Sequence, residues 1–233
     1  MGMEDELGLD GVGEVSVEEM GTKIKGLPDV QYGRSGEMID ALDIKELTGN
    51  SIGIRFVDLK SYNDLNLFGS THHKVSEEKS GGVFINLYKT TQADPDHIYL
   101  AISRDIDDST LIHELAHVLD YLGGSNLMPG TLAPLGLELG IPVDHLEHPE
   151  EYGHWLDYLK KRFDVQLDAD DTIVSYLFEN GMLIKGKEIG EKNGFILKSK
   201  SDRILKFLSE NSQEIHALIQ NLPGYIGKGK ESS

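Results

Sequence analysis

Residues 97–122 read HIYLAISRDIDDSTLIHELAHVLDYL, and this stretch decides which fold the chain can adopt. It opens with the β-branched, aromatic and aliphatic run His97 to Ser103, which is typical of a strand. Asp107-Asp108-Ser109 then provides a helix start, and Gly123-Gly124, just beyond the stretch, provides a stop. The stretch therefore predicts a strand that leads directly into a helix of about four turns.

The predicted helix carries His-Glu-Leu-Ala-His at residues 113–117. Two histidines four residues apart project from one face of a helix about a turn apart, so both imidazoles can bind one metal ion. Glu114, beside the first histidine, can reach a water molecule on that ion. We therefore predict His113 and His117 as metal ligands and Glu114 as the catalytic residue.

The distribution of side chains around this helix supports the prediction. The apolar residues fill one arc of the helix, and the polar residues fill the opposite arc. The polar stripe consists of His113, Glu114, His117, Asp120 and Tyr121. An ordinary solvated stripe would usually include Lys or Arg, which a cation site would exclude, and this stripe contains neither.

Composition narrows the class of protein. The chain has 233 residues, 39% of them hydrophobic, and no apolar run of 18 residues, so we expect a soluble globular protein. The net charge of −18 disfavours nucleic acid and anionic membranes as partners and favours basic peptides. The absence of cysteine excludes disulfides and thiolate metal sites. Because the first residues lack a signal peptide, we expect a cytoplasmic protein.

Hydrophobic periodicity predicts an α+β chain in three parts: an acidic flexible tail (1–20), a core with a mixed sheet (21–165) and a C-terminal helix-hairpin-helix subdomain (166–233). The predicted strands cover residues 51–59, 83–88 and 97–103. The predicted helices cover residues 37–47, 109–122, 149–163, 170–180 and 202–221. Residues 60–81 are predicted to form a long loop, and residues 182–198 a hairpin that turns at Asn193-Gly194.

Over residues 97–122 the chain resembles the zincin metallopeptidases, whose active-site helix follows a sheet and carries the same HExxH pattern. The resemblance implies a zincin-like fold and a zinc hydrolase that binds an extended substrate along a sheet edge, here at Val83–Tyr88. Metzincins have Gly and a third His where this chain has Asp120 and Gly123, and peptide deformylases use a cysteine ligand. A gluzincin-like arrangement remains, with a Glu from a downstream helix as third ligand.

The third ligand must come from the acidic and histidine-rich residues 144–154. On the helix predicted after Pro149, Glu151 flanks the apolar face, whereas Glu150 and His154 point away from it. We therefore predict Glu151 as the third zinc ligand. The remaining candidates for this position are Glu150, Glu147, His148 and His145.

Glu151 is also the ligand that matches a narrower resemblance, to the anthrax lethal factor type of metallopeptidase domain. That family often carries a second acid four residues after the ligand Glu, and this chain has Trp155 there.

The supporting roles have several candidates. Asp120 is predicted either to orient a ligand imidazole through its second ring nitrogen or to be an ordinary solvated residue. A donor to the developing oxyanion is expected among Tyr121, Tyr152, His145 and His148, each of which packing alone would also explain. The sequence thus favours zinc-dependent peptide hydrolysis with Glu114 as general base. The alternatives are a non-catalytic zinc-binding module and a non-peptidase metal hydrolase.

Overall fold

The computed structural model describes residues 17–65, 82–85 and 94–226, and within these ranges the chain is a mixture of helices and a small sheet. This agrees with the predicted α+β class. The strands are β1 (Gly53–Asp58), β2 (Gly82–Ile85) and β3 (His97–Ile102). The helices are α1 (Val17–Lys25), α2 (Ser35–Asp40), α3 (Ile44–Thr48), α4 (Leu59–Asp64), α5 (Asp108–Gly123), α6 (Ala133–Leu139), α7 (Asp144–Glu147), α8 (Glu150–Phe163), α9 (Ala169–Glu179), α10 (Gly186–Gly190), α11 (Gly194–Glu210) and α12 (Ser212–Ile219).

The three described strands form one sheet in the order β1-β3-β2. β1 runs parallel to β3, and β2 runs antiparallel to it. Because β3 lies between two strands and is covered on its faces, Ile98 to Ile102 are fully buried. β2 is at one end of the described strand order, which is the position predicted from the zincin resemblance for a substrate-binding edge.

Helix α5 carries the HELAH sequence and follows β3 after five residues. It begins where predicted because the Asp107 side chain accepts a hydrogen bond from the Thr110 backbone N–H at 2.7 Å. The predicted apolar arc is confirmed, since six of its seven residues are fully buried: Leu111, Ile112, Leu115, Ala116, Val118 and Leu119. They pack on the sheet and on α8 in the main hydrophobic cluster.

Helix α8 is the second wall of the core, and its predicted apolar face is also confirmed. Tyr152, Leu156 and Leu159 are fully buried, and Trp155 and Phe163 nearly so. The helix is capped at its start by Pro149, which has no N–H to leave unsatisfied.

A second hydrophobic cluster joins the C-terminal helices to the segment that follows α5. Leu132, Ile141 and Leu146 pack there with Leu177, Leu197 and other apolar residues from the last 60 residues of the described chain. The predicted boundary at residue 165 therefore runs through a region where residues on both sides share one cluster.

Several local predictions are wrong. The hairpin predicted at 182–198 is replaced by α10 and the start of α11, because Asn193 caps α11 by accepting a hydrogen bond from the Ile196 N–H at 3.2 Å. The helix predicted for 202–221 is two helices, α11 and α12.

The N-terminal half shows similar differences. The helix predicted for 37–47 is divided into α2 and α3, since Asp43 caps the second of them. The predicted loop at 60–81 begins with α4, and residues 66–81 lie outside the described residues. The predicted tail ends earlier than expected, because α1 starts at Val17; residues 1–16 are also outside the described part. None of the described helices combines the length and apolar character that crossing a bilayer requires.

Candidate metal centre

The two histidines of the HELAH sequence direct their Nε2 atoms at each other. The distance between Nε2 of His113 and Nε2 of His117 is 3.2 Å. Two nitrogens that each lie about 2.05 Å from one tetrahedral ion are about 3.3 Å apart. The pair is therefore already at the separation that a shared metal ion requires.

A third imidazole, that of His148, completes the group. One ligand atom from each of His113, His117 and His148 lies within 4.8 Å of the other two. Both ring nitrogens of His148 are shielded from solvent and have no hydrogen-bond partner in the described part of the chain. The nearby Asp144 carbonyl accepts from the His148 backbone N–H, at 3.3 Å. An unpaired polar atom in a protein interior costs free energy. A bound metal ion would provide these nitrogens with the missing partner.

The position of His148 is fixed by the break between two helices. Helix α7 ends at Glu147, and Pro149 forces the residue before it out of helical conformation. The Glu150 backbone N–H then donates to the Ile184 carbonyl at 2.8 Å, which anchors the start of α8. His148 is held between these two anchors, beside the histidine face of α5.

Asp171 and Tyr152 orient the first histidine. Oδ1 of Asp171, a residue only 2% exposed, lies 2.9 Å from Nδ1 of His113. The hydroxyl of the fully buried Tyr152 lies 2.9 Å from the same nitrogen and 3.5 Å from that carboxylate oxygen. A carboxylate on Nδ1 keeps the proton there and leaves Nε2 free to bind a metal.

The electrostatics of the group reflect this arrangement. Burial lowers the pKa of His113, but the hydrogen bond and charge of Asp171 outweigh it and raise that pKa to about 9. Burial and the neighbouring His113 lower the pKa of His148 to about 4 and bring that of His117 well below its usual value. Burial raises the pKa of Glu114, partly opposed by His113.

Glu151, the predicted third ligand, does not lie in this group. Its Oε2 accepts a hydrogen bond from the Gly186 backbone N–H at 2.7 Å, and its Cβ lies close to Gly124. Glu151 does flank α5, as the helical geometry predicted, but it meets the C-terminal end of that helix rather than the histidine face. In the structure the third member of the group is therefore His148 and not Glu151.

The other candidates for the third position also have different partners. Glu147 Oε1 accepts from the Gly130 N–H at 3.1 Å, and His145 Nδ1 lies 2.8 Å from the Ser201 hydroxyl. Both line the same cavity as the histidines but are outside the group of three. Glu150 lines a different pocket, next to Glu151.

The predicted role of Asp120 as the residue that orients a ligand is wrong. Its carboxylate accepts from the backbone N–H and the hydroxyl of Ser125, at 3.0 and 2.8 Å, and is 2% exposed. It therefore fixes the turn after α5, while Asp171 contacts the ligand imidazole. Tyr121 packs in the main cluster, whereas Tyr152 does reach the histidines.

Sequence reasoning missed Asp171 altogether. It lies 54 residues beyond His117, in the first turn of α9, where an acid is already explained by the helix dipole. The run Asp168, Asp170 and Asp171 could have drawn attention to it, because a helix start needs only one capping residue. Asp168 is that residue, since its side chain accepts a hydrogen bond from the Asp171 backbone N–H at 2.8 Å.

The three histidines open onto a cavity of about 450 Å³ between the core and the C-terminal helices. Glu114 is partly exposed and is not among the residues that line this cavity. Three imidazoles that converge on a cavity provide nitrogen ligands for a metal ion such as zinc, copper, iron or nickel.

Comparisons with family models, with curated proteins and with solved structures found no match for this chain.

Proposed function

We propose that this chain is a zinc-dependent peptidase in which His113, His117 and His148 hold the metal and Glu114 is the general base. One observation carries the proposal: three buried or half-buried imidazoles converge, and the ring nitrogens of the third have no hydrogen-bond partner among the described residues. A set of three imidazoles with an open fourth position is the arrangement of catalytic rather than structural zinc sites. The absence of cysteine is consistent with this choice.

Bound zinc lowers the pKa of a water ligand toward neutrality and polarises a carbonyl oxygen. Glu114 accepts the proton of the attacking water and passes it to the leaving amine. The position of Glu114 beside His113 in the HExxH sequence supports this role. Asp171 holds the Nδ1 proton of His113 and fixes the imidazole in one orientation.

The proposal keeps the zincin resemblance but changes the subclass. The HExxH helix after a sheet and the end position of β2 among the described strands support a zincin-like arrangement. A histidine that comes before α8 differs from the gluzincin and lethal factor patterns, in which the third ligand is a Glu of the downstream helix. Because the Glu151 carboxylate accepts a hydrogen bond from the Gly186 backbone N–H, we propose a His-His-His site instead.

The test is cleavage of a proteome-derived peptide library by the zinc-loaded protein, followed by mass spectrometry. We expect cleavage by the wild type and none by Glu114→Gln, while both hold about one zinc per chain by elemental analysis. A protein that takes up no zinc would refute the proposal. Zinc in both proteins without cleavage in either would instead identify a non-catalytic zinc-binding module.

A further inference from the structure

The cavity beside the histidines has one apolar wall. This wall consists of aliphatic side chains from the C-terminal half of the chain: Ile173, Val174, Leu177, Leu183 and Leu208. Leu177 and Leu183 are almost completely buried, and the others are partly exposed. An apolar group that enters the cavity would therefore replace water at a hydrophobic surface.

The rest of the lining consists of four histidines and four carboxylates. Four carboxylates border the cavity, and no Lys or Arg is among the described residues that line it. Two of the four are already engaged, since Glu147 accepts from the Gly130 N–H and Asp171 from His113. The other two, Asp144 on α7 and Asp170 on α9, are exposed, and no ion pair or side-chain hydrogen bond ties them to the described part of the chain.

We propose that the cavity binds a basic peptide segment, with a large apolar side chain against the aliphatic wall and a Lys or Arg on either side of it near the carboxylates of Asp144 and Asp170. This inference rests on the proposed peptidase function and specifies its substrate class. Consecutive side chains of an extended peptide point in opposite directions. An apolar residue that enters the cavity would thus leave its neighbours at the mouth, where the two carboxylates lie. The net charge of −18 adds a long-range field that attracts the same peptides and repels acidic ones.

The test measures binding rather than turnover. Three fluorescein-labelled peptides carry Lys-Leu-Lys, Glu-Leu-Glu or Lys-Gly-Lys at the centre of a Gly/Ser sequence. Their affinities are measured by fluorescence anisotropy for zinc-loaded Glu114→Gln protein, which prevents hydrolysis, and for the metal-free protein. Zinc content is determined on the same samples.

We expect the Lys-Leu-Lys peptide to bind about 10-fold more tightly than Glu-Leu-Glu, because two favourable contacts replace two repulsive ones. It should also bind about 10-fold more tightly than Lys-Gly-Lys, because only it buries a Leu side chain. In Asp144→Asn/Asp170→Asn protein the preference for Lys over Glu should fall to about twofold.

The matched control is Asp40→Asn/Glu138→Gln, which removes two exposed carboxylates that do not line the cavity. Its net charge equals that of the test variant, so it should keep the preference for Lys.

The possible failures separate the two proposals. Zinc-loaded protein that binds no peptide, or binds all three equally, refutes the substrate class and leaves the metal site standing. An equal loss of preference in the control variant also refutes it, since overall charge would then be the cause. Protein without zinc refutes the peptidase, and the preference for Lys-Leu-Lys is then read on the metal-free protein, whose cavity has the same walls.

Discussion

The identity of the third ligand decides whether the proposed centre is correct, and it can be tested with two substitutions. His148→Ala removes an imidazole whose nitrogens have no other partner. Glu151→Gln removes a carboxylate but keeps an oxygen that can accept from the Gly186 N–H, so the junction at 2.7 Å is preserved. Zinc bound by four ligands in small folded peptides gains about 10–16 kcal/mol, or about 2.5–4 kcal/mol for each ligand. Loss of one ligand therefore weakens binding by about 100- to 1,000-fold.

Zinc affinity is measured by competition with a chromophoric chelator at fixed pH, on proteins whose folding is checked by circular dichroism. His148→Ala should lose about 100-fold or more in affinity, and Glu151→Gln should stay within about threefold of the wild type. The control His154→Ala removes an exposed histidine of the same segment and should bind zinc as the wild type does. Loss of zinc in Glu151→Gln together with retention in His148→Ala would refute the His-His-His site.

Three further predictions concern the residues around the site. Asp171→Asn should weaken zinc binding by about 10- to 100-fold in the same chelator assay, because the imidazole that it contacts loses its charged partner; unchanged affinity would contradict this role. Burial, with a smaller contribution from a neighbouring carboxylate, raises the pKa of Asp120 from 3.8 to about 6. Its proton is therefore bound more tightly in the folded state, and that stabilisation is present below about pH 4 and is lost as the pH rises through 6. Urea unfolding at pH 4 and pH 7 should show that the free energy of unfolding of Asp120→Asn depends on pH by about 2 kcal/mol less than that of the wild type, and the same pH dependence in both proteins would refute the shift. Gly186→Ala would place a Cβ in steric conflict with the Cβ of Ser125 and should lower the free energy of unfolding by about 2 kcal/mol or more, whereas Gly190→Ala, in the same helix with open space around it, should not.

The sequence was sufficient for the parts of the fold that are set by periodicity. The apolar arc of α5 and the apolar face of α8 are both buried as expected, because a helix that packs on a sheet must bury one stripe. The convergence of the two histidines could also be predicted from the sequence, since a spacing of four residues on a helix fixes the relative direction of two side chains. These are local relations that require no knowledge of the rest of the chain.

A correct prediction of the third histidine of the group required information that helical geometry does not contain. An angle around α8 correctly placed Glu151 beside α5, but it could not say which end of α5 that residue would meet. His148 lies between two helices, where no period applies, and its position follows from Pro149 and from the contact of Glu150 with Ile184.

The C-terminal prediction failed for a different reason, because Asn-Gly serves equally well as a hairpin turn and as a helix start. The long helix α11 that follows Asn193 decided between the two.

The origin of the cavity walls has a consequence for how the protein matures during synthesis. The histidine pair at 113–117 leaves the ribosome first, and Leu208, the last residue of the apolar wall, is made 91 residues after His117. At about 5–20 residues per second, about 5–18 s pass between the synthesis of the histidine pair and the synthesis of the last residue of the apolar wall. A nascent chain therefore has the histidine pair before it has a complete cavity, and the proposed binding of a peptide requires the C-terminal helices.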